Sequence, residues 1–399
     1  MQRFWGGVLA ILLLLGGVAQ GAGPTAVAAQ ATPGAAAGPI RIGVLNPTTG
    51  PFAVFGEQVN NGTRLYFDGV GNTVGGRPIE LVFADTAGDP QQALEQARRL
   101  VGQEDVDLLM GIVNSAVVPP LADFAGQEEV PLVITVGGAR AATGADRNPN
   151  VFRTALANGQ QDRVLGWYTA AELGKRRAAT FAWDFLVGQE RVEGFAETFT
   201  AAGGEIVAQQ KPPLGTTDFG PFIGQVDPSA IDVAYAFFAG PGALAFVQQM
   251  RQFGVVPNVE LVAPDYFTAG VLDQMGEDAA GLVQAGGYTA AIDSPENRAF
   301  REAYETAYGG DLGVYEAEGY IGAQVVAEAI EAAGGAERQP LLDALAATDA
   351  VTLAGPLTFD DRGQAVRTVY VTRVEPGGGG QTIVATVDGV DQDWAPPAS

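Results

Sequence analysis

The fold is constrained most by a regular alternation of short β-rich runs with amphipathic helical segments, which begins at residue 40. Parallel strands need long crossover connections, usually helices, so this alternation predicts parallel sheets with helices on both faces. The first series has predicted strands at residues 40–46, 79–84, 106–111 and 130–136. The second series has them at residues 178–183, 206–210, 231–238 and 260–263. Two such series predict an α/β protein with two doubly wound parallel-sheet lobes.

The clearest helix signal follows the second predicted strand. Asp89 is a good N-cap, and Pro90 suits the first helical position because its missing N–H would have no helical partner there. Apolar side chains then recur at helical spacing, at Ala93, Leu94, Ala97 and Leu100. The same reasoning predicts helices over residues 161–173, 188–202 and 242–253, and makes Asp218 a second N-cap.

The pattern changes after residue 287. Helices are predicted over residues 295–308, 315–333 and 339–346, followed by strands at 351–359, 366–374 and 383–387 and a glycine turn at 377–380. This change predicts that the chain returns to lobes already built. The first lobe would comprise residues 40–152 with 288–363, the second 153–287 with 364–390, and residues 391–399 a tail. The two lobes would then face each other across a cleft at the carboxyl ends of the strands, where small ligands bind.

The N-terminus predicts export. Arg3 is the only charged side chain before a short apolar run at residues 8–15, which is flanked by glycine pairs. This arrangement is typical of a signal peptide, placed at residues 1–28, and the run is short for a membrane-spanning helix. An uncleaved signal that tethers the protein to the membrane is the main alternative. Residues 29–39, rich in Ala, Gly and Pro, are expected to be a disordered spacer. The expected compartment is the periplasm or the extracellular space.

Charge and missing residue types exclude several functions. Asp and Glu total 46 against 22 Lys and Arg, so the net charge of -24 repels nucleic-acid backbones. The chain contains no His and no Cys, which excludes Ser-His-Asp and Cys-His catalysis, His or Cys zinc sites, Fe–S clusters, disulfides and a lipid-anchored cysteine. No metal and no cofactor is expected.

Loops at the carboxyl ends of predicted strands supply candidate ligand contacts. The loop at residues 46–56 offers Phe55 to the cleft. Ser115, followed by Ala116, is interpreted as the N-cap of a helix whose free N–H groups would suit a carboxylate. Gly137 and Gly138 would let a ligand approach the backbone closely. Asp265 could pair with a ligand ammonium. Each feature is also compatible with a purely structural role.

Several of these segments resemble the exported leucine/isoleucine/valine-binding proteins that serve ABC importers. The likeness spans about residues 40 to 387. It rests on Ile42-Gly43-Val44 leading to Thr49-Gly50-Pro51, on residues 106–111 leading to Ser115, on Thr217-Asp218-Phe219, and on the run from Gly355 to Asp360. The resemblance implies a type I periplasmic binding protein fold with a three-segment hinge. It also implies a monomer that traps a small ligand by hinge closure and docks on an ABC permease.

The resemblance also implies roles for particular residues. Ser115 matches a hydroxyl that holds the ligand carboxylate, Gly137 a backbone contact, Phe55 a frequent aromatic and Asp265 an acid that meets the ligand ammonium. The sequence departs from the family where Ala139 replaces a hydroxyl and Val187 replaces an aromatic; Trp183 and Phe238 lie near a further expected aromatic. The ligand therefore stays open between a branched-chain or other hydrophobic amino acid and a related hydrophobic or aromatic carboxylate.

Two other functions remain as alternatives to a non-enzymatic binding protein. The first is a secreted hydrolase that uses two carboxylates, although such enzymes usually line long clefts with Trp and this chain has four. The second is a ligand-sensing ectodomain of the same fold.

Overall fold

The computed structural model describes residues 38–310, 312–377 and 380–396. The predicted signal peptide and nearly all of the predicted spacer lie outside the described residues. Among the helices that are described, none has the length and apolar character needed to cross a bilayer.

The first lobe is built on a six-stranded sheet with the order β2-β3-β1-β4-β5-β6. All neighbouring strands are parallel except the β2–β3 hairpin. The strands are β1 (Ile40–Asn46), β2 (Thr73–Val74), β3 (Arg77–Asp85), β4 (Leu108–Gly111), β5 (Leu132–Ile134) and β6 (Val151–Arg153). β4, β5 and β6 are buried throughout, as expected for strands covered by helices on both faces.

Helices from two separate parts of the chain cover this sheet. The early ones are α1 (Ala53–Gly69), α2 (Pro90–Gly102) and α3 (Val118–Gln127), and the late ones are α9 (Pro295–Ala307), α10 (Val314–Ala333) and α11 (Arg338–Ala346). α1 and α10 pack backbone to backbone. A Cβ at Gly62 would lie 2.0 Å from the carbonyl oxygen of Glu316, and one at Gly319 would lie 2.2 Å from that of Val59. These two glycines therefore set the approach of the helices.

The second lobe contains a mixed nine-stranded sheet. Its strands are β7 (Arg177–Ala182), β8 (Glu205–Gln210), β9 (Val233–Phe237), β10 (Glu260–Pro264), β11 (Val283–Gly286), β12 (Asp349–Thr352), β13 (Gly355–Phe359), β14 (Ala365–Val374) and β15 (Gln381–Val390). The run β8-β7-β9-β10-β11 is parallel, and β14 then joins β11, β13 and β15 in antiparallel pairs. Its helices are α4 (Gln160–Ala171), α5 (Leu186–Ala201), α6 (Gly220–Ile223), α7 (Pro241–Gln252) and α8 (Leu272–Met275).

The chain passes between the lobes in three places, after β6, after β11 and after α11. One buried ion pair ties these crossings together. Glu318 of α10 accepts two hydrogen bonds of 2.8 Å from Nη1 of Arg367 on β14. The same guanidinium donates to the carbonyl oxygens of Thr154, in the first crossing, and Gly287, in the second. Both side chains are 2% exposed or less, so a fixed charge pair lies at the hinge.

The structure confirms the predicted two-lobed α/β fold with its three-segment hinge and most of the predicted elements. Asp89 caps α2 as expected, accepting from the N–H groups of Gln91 and Gln92. The boundary of the first lobe at residue 363 is wrong in part. β13 pairs with β14 in the second sheet and β12 pairs with β13, because the open edge of each strand offers unpaired backbone groups to the next. Asp218 is not the N-cap of α6; Phe219 holds that position, and Asp218 accepts from the N–H of Gly220.

Candidate functional site

A small cavity of about 70 Å³ lies between the two lobes. Both lobes and the first crossing contribute to its walls. Most of the large side chains that line it are aromatic: Phe52, Phe55, Trp183, Phe185, Phe237, Tyr266 and Tyr315. The polar side chains among the lining residues are Asn114, Ser115, Asn158 and Arg191. A mostly apolar wall with a few convergent polar groups is typical of a small-molecule site.

The aromatic side chains support one another from opposite sides of the cleft. Phe55 of α1 stacks on Tyr315 of α10, with ring centroids 4.6 Å apart, and Tyr315 in turn meets Tyr266 edge-on at 5.3 Å. In the second lobe Phe185 stacks on Phe237 at 6.3 Å. Such packing fixes ring orientations, and it leaves flat apolar faces against which a planar ligand can lie.

Arg191, on the second turn of α5, is the charged residue in the cavity wall. Its side chain is 4% exposed, and its guanidinium lies 4.8 Å from the ring centre of Phe237 and 5.1 Å from that of Tyr266. Nη1 donates to Asp162 at 3.0 Å, whereas Nε has no hydrogen-bond partner among the described residues. A buried, unpaired N–H donor on a cation is costly, so this atom indicates a place for an anionic ligand.

Asp162 of α4 fixes the position of that guanidinium. Besides Arg191, its carboxylate accepts from the hydroxyl of Tyr235 at 2.6 Å and from the N–H of Gly159 at 3.2 Å. The side chain of Asp162 is fully buried. Three donors therefore hold the carboxylate in place, and the carboxylate orients the guanidinium before any ligand arrives.

Ser115 lies at the wall contributed by the first lobe, but not in the role predicted for it. Asn114 is the cap of the short 3₁₀ turn Ser115–Val117, and its side chain and backbone oxygens accept from Ala116 and Val117. The N–H groups of that turn are thus already used. Ser115 Oγ instead accepts from the N–H of Gly138 at 3.0 Å and from Asn158 at 3.4 Å. Because this oxygen only accepts among the described residues, its hydroxyl hydrogen is available to a ligand in the cavity.

Contacts across the cleft hold the two lobes together around the cavity. Glu190 of α5 accepts from the side chain of Asn158 at 2.8 Å and from the backbone N–H of Arg140, in the first lobe, at 3.3 Å. The guanidinium of Arg140 pairs with Glu193, also on α5. On the other side, a Cβ at Gly240 would lie 3.5 Å from Phe55. The lobes are therefore closed on each other at this site.

Five of the nine predicted site residues line the cavity: Phe55, Ser115, Gly138, Trp183 and Val187. The other four lie elsewhere, for physical reasons that the structure makes plain. Ala116 is exposed on the solvent side of its turn. Gly137 is packed inside the first lobe, where its carbonyl oxygen accepts from Arg153. Phe238 is in the core of the second lobe, with its ring centre 5.4 Å behind that of Trp183.

Asp265 is the fourth of these residues. It lines a separate, larger cavity of about 800 Å³, together with Thr268, Tyr288 and part of α9. Burial raises the pKa of Asp265 to about 7, and the positive charge of Arg191 opposes that rise. The predicted ammonium partner is thus outside the aromatic wall, and its negative charge is partly offset by a cation that belongs to the protein.

Sequence reasoning missed Arg191, Phe185, Phe237, Tyr266 and Tyr315. A signal for Arg191 was present, because Val187, Arg191, Phe195 and Thr198 follow helical spacing on the buried face of α5. A charged residue in such a stripe is rarely buried without a partner or a function. The aromatic residues carried no comparable signal, since an aromatic residue beside a strand end is usually part of the core.

Comparison with known proteins shows the family of the chain. The sequence profile described as periplasmic binding protein matches residues 39–381. The Leu/Ile/Val-binding protein homolog 6 of Brucella melitensis is 29% identical over 357 residues, which are 88% of this chain and 91% of the relative. An ABC transporter substrate-binding protein structure from Sphaerobacter thermophilus is 35% identical, with a TM-score of 0.85, and the match covers 89% of this chain and 99% of that one.

A second solved structure is an ABC transporter solute-binding protein from R. palustris in complex with benzoate. It is 30% identical, its TM-score is 0.83, and the match covers 90% of this chain and 99% of that one. The family profile covers most of the chain, and the two parallel-sheet lobes are those of this fold. The chain therefore belongs to the periplasmic binding protein family, which is made of solute-binding proteins of ABC transporters.

Proposed function

We propose that this protein captures a small aromatic carboxylate, of the benzoate class, outside the cytoplasm and delivers it as a monomer to an ABC permease without chemical change. Hinge closure traps the ligand between the lobes, and the closed form is the one that docks. The predicted signal peptide supports export.

The observation that carries this proposal is the unpaired Nε–H of a fully buried Arg191 in a wall of aromatic rings. An arginine recognises a carboxylate through its planar donors, and the hydrogen bond to a charged acceptor is stronger than one between neutral groups. The flat rings of Phe55, Phe185 and Phe237 suit the ring of the ligand. The complex of the R. palustris protein with benzoate gives independent support for this ligand class.

A free amino acid fits this wall less well. Its ammonium would need an acidic partner inside the cavity, yet the charged side chain in the lining is the cation Arg191. Asp265 lines the neighbouring cavity and already faces the field of that cation. An ammonium buried without a partner is costly, so an acid without an amine is favoured.

Titration calorimetry with benzoate, phenylalanine and leucine tests the proposal. Benzoate is expected to bind more tightly than either amino acid. At a hundred times its dissociation constant it should add about 2.7 kcal/mol to the free energy of unfolding. Tighter binding of leucine or phenylalanine than of benzoate would overturn the assignment of the ligand class. It would instead favour an amino-acid ligand, as the name of the Brucella relative indicates. Turnover of any glycoside would instead support a hydrolase.

The replacement Ser115→Ala is expected to weaken benzoate binding by about 1.5–3 kcal/mol, because it removes a hydroxyl donor from the cavity wall. Calorimetry on the folded variant measures the change. The matched control is Ser229→Ala, in an exposed turn of the second lobe, which should bind as the wild type does. Equal affinities for all three proteins would remove Ser115 from the ligand contacts.

A further inference from the structure

Asp265 has an unusual position between the two cavities. It follows β10, and its Oδ1 accepts from the N–H of Tyr266 at 2.9 Å. Its Oδ2 is buried and, within the described part of the chain, has no hydrogen-bond partner. A Cβ at Gly286 would lie 1.9 Å from that oxygen, so the absence of a side chain at Gly286 makes the space that the carboxylate occupies. The site thus contains a carboxylate whose charge no hydrogen bond at Oδ2 stabilises.

Charged and titratable groups face Asp265 from several elements. Arg191 of α5 is the nearby cation, and Asp162 of α4 and Glu318 of α10 are nearby acids. Tyr266 and Tyr315 are the adjoining phenols.

The larger cavity adds further charges on the other side, namely Asp273 and, on α9, Arg298, Arg301, Glu302 and Glu305. Arg191 is paired with Asp162, and Arg367 is paired with Glu318. Of the three buried acids Asp162, Glu318 and Asp265, the last is therefore the one without an ion pair.

We propose that Asp265 is a specificity-determining residue that takes up one proton when an anionic ligand binds at Arg191, so that the anion and the proton are captured together. The inference rests on the proposed function, because it requires a ligand with a negative charge. The proton comes from the solvent and binds Oδ2, and no covalent bond of the ligand changes.

The physical reason is that Asp265 and the ligand carboxylate would share one cation, Arg191. In the ligand-free protein Arg191 favours the ionised form of Asp265. A bound carboxylate adds a second negative charge to the same desolvated region, and like charges at close range raise each other's pKa. Protonation of Asp265 removes that repulsion. Because the pKa of the free protein is already about 7, the proton is available at physiological pH.

Anions and amino acids differ in their effect on Asp265. A zwitterion brings an ammonium as well as a carboxylate, and its positive charge favours the ionised form of Asp265. Rising pH therefore weakens the binding of a benzoate-type anion and does not weaken the binding of leucine in the same way. Asp265 thereby favours anionic ligands at low pH.

Calorimetry of the wild-type protein with benzoate between pH 6 and pH 9 tests this coupling. The benzoate carboxyl is ionised throughout, since ordinary carboxyl pKa values lie near 4. The affinity is expected to fall about tenfold as pH rises through 7, which corresponds to a pKa of Asp265 about one unit higher in the complex. Titrations in two buffers of different ionisation enthalpy should show net proton uptake at pH 7.5.

Two variants assign the proton to its residue. Asp265→Asn keeps an acceptor for the N–H of Tyr266 but cannot ionise, so its affinity for benzoate should be independent of pH and at least equal to the wild-type affinity at pH 6. Asp273→Asn, an exposed acid in the lining of the same larger cavity, is the matched control and should keep the wild-type pH dependence.

The possible outcomes distinguish failure of the proton-uptake inference from failure of the proposed function. Benzoate binding without proton uptake in the wild type overturns the inference and leaves the proposed function intact; this measurement needs no variant to fold. An unchanged pH dependence in Asp265→Asn assigns the proton to another group and also overturns it. Failure of benzoate to bind at any pH overturns the inference and the proposed function together.

Discussion

Replacement of Arg191 by lysine is expected to weaken the binding of benzoate by about 2 kcal/mol, roughly thirtyfold. Lysine keeps a positive charge beside Asp162, so the buried ion pair survives in the variant. It loses the Nε–H donor and the planar group that lies over Phe237 and Tyr266. A guanidinium has planar donors that can bind Asp162 and a ligand carboxylate at the same time, and a single ammonium does not reproduce that geometry. Titration calorimetry measures the loss.

The matched control is Arg163→Lys. Arg163 lies on α4 and pairs with Glu197 on the outside of α5, away from the cavity. This variant should bind benzoate as the wild type does, and its thermal stability should show whether an arginine-to-lysine change by itself disturbs the packing of α4 and α5. Unchanged benzoate affinity in a folded Arg191→Lys protein contradicts the placement of the ligand carboxylate.

Replacement of Glu318 by leucine is expected to lower the free energy of unfolding by about 3–5 kcal/mol. The change leaves the guanidinium of Arg367 buried at 1% exposure without a counter-charge. The carbonyl oxygens of Thr154 and Gly287 remain as acceptors, but they do not neutralise the cation. Denaturant unfolding followed by circular dichroism measures the change from the shift of the midpoint.

The control for this prediction is a surface ion pair in the same protein. Glu197→Leu breaks the pair with Arg163, in which the Glu197 side chain is 57% exposed. Exposed pairs contribute between 0 and about 1 kcal/mol, so the midpoint should move little. If Glu318→Leu and Glu197→Leu destabilise the protein equally, the hinge ion pair does not have the stabilising role assigned to it.

Local sequence pattern was enough to predict most of the secondary structure. β1 runs over the predicted residues, and Asp89 caps α2, because an N-cap and a buried run are determined by residues within a few positions of each other. The strands that the sequence pattern did not predict are short. β6 has three residues and β11 four, and a run of that length has no measurable period.

The candidate site was predicted mainly where its residues lie on or just after the loops at strand ends. Phe55, Ser115 and Gly138 were found in this way, since parallel strands bring their carboxyl ends to one edge. The capping role predicted for Ser115 was wrong, because Asn114 also has a capping side chain and sequence alone does not say which of the two takes the cap. Asp265 was predicted for the cleft; its carboxylate lies against Gly286 and lines the larger cavity, and it is not among the residues of the aromatic wall.

By itself, the sequence determined the fold class and the two lobes, because the periodicity of a strand or helix is a property of a short stretch of chain. It also determined the absence of His and Cys chemistry, because that follows directly from composition. Tertiary structure alone decided the ligand wall. Tyr315 reaches Phe55 and Tyr266 because α10 returns to the first lobe, and Arg191 meets Asp162 because α4 and α5 pack together. Such contacts join residues far apart in the chain, and their positions depend on how whole helices and sheets pack, which no local pattern encodes.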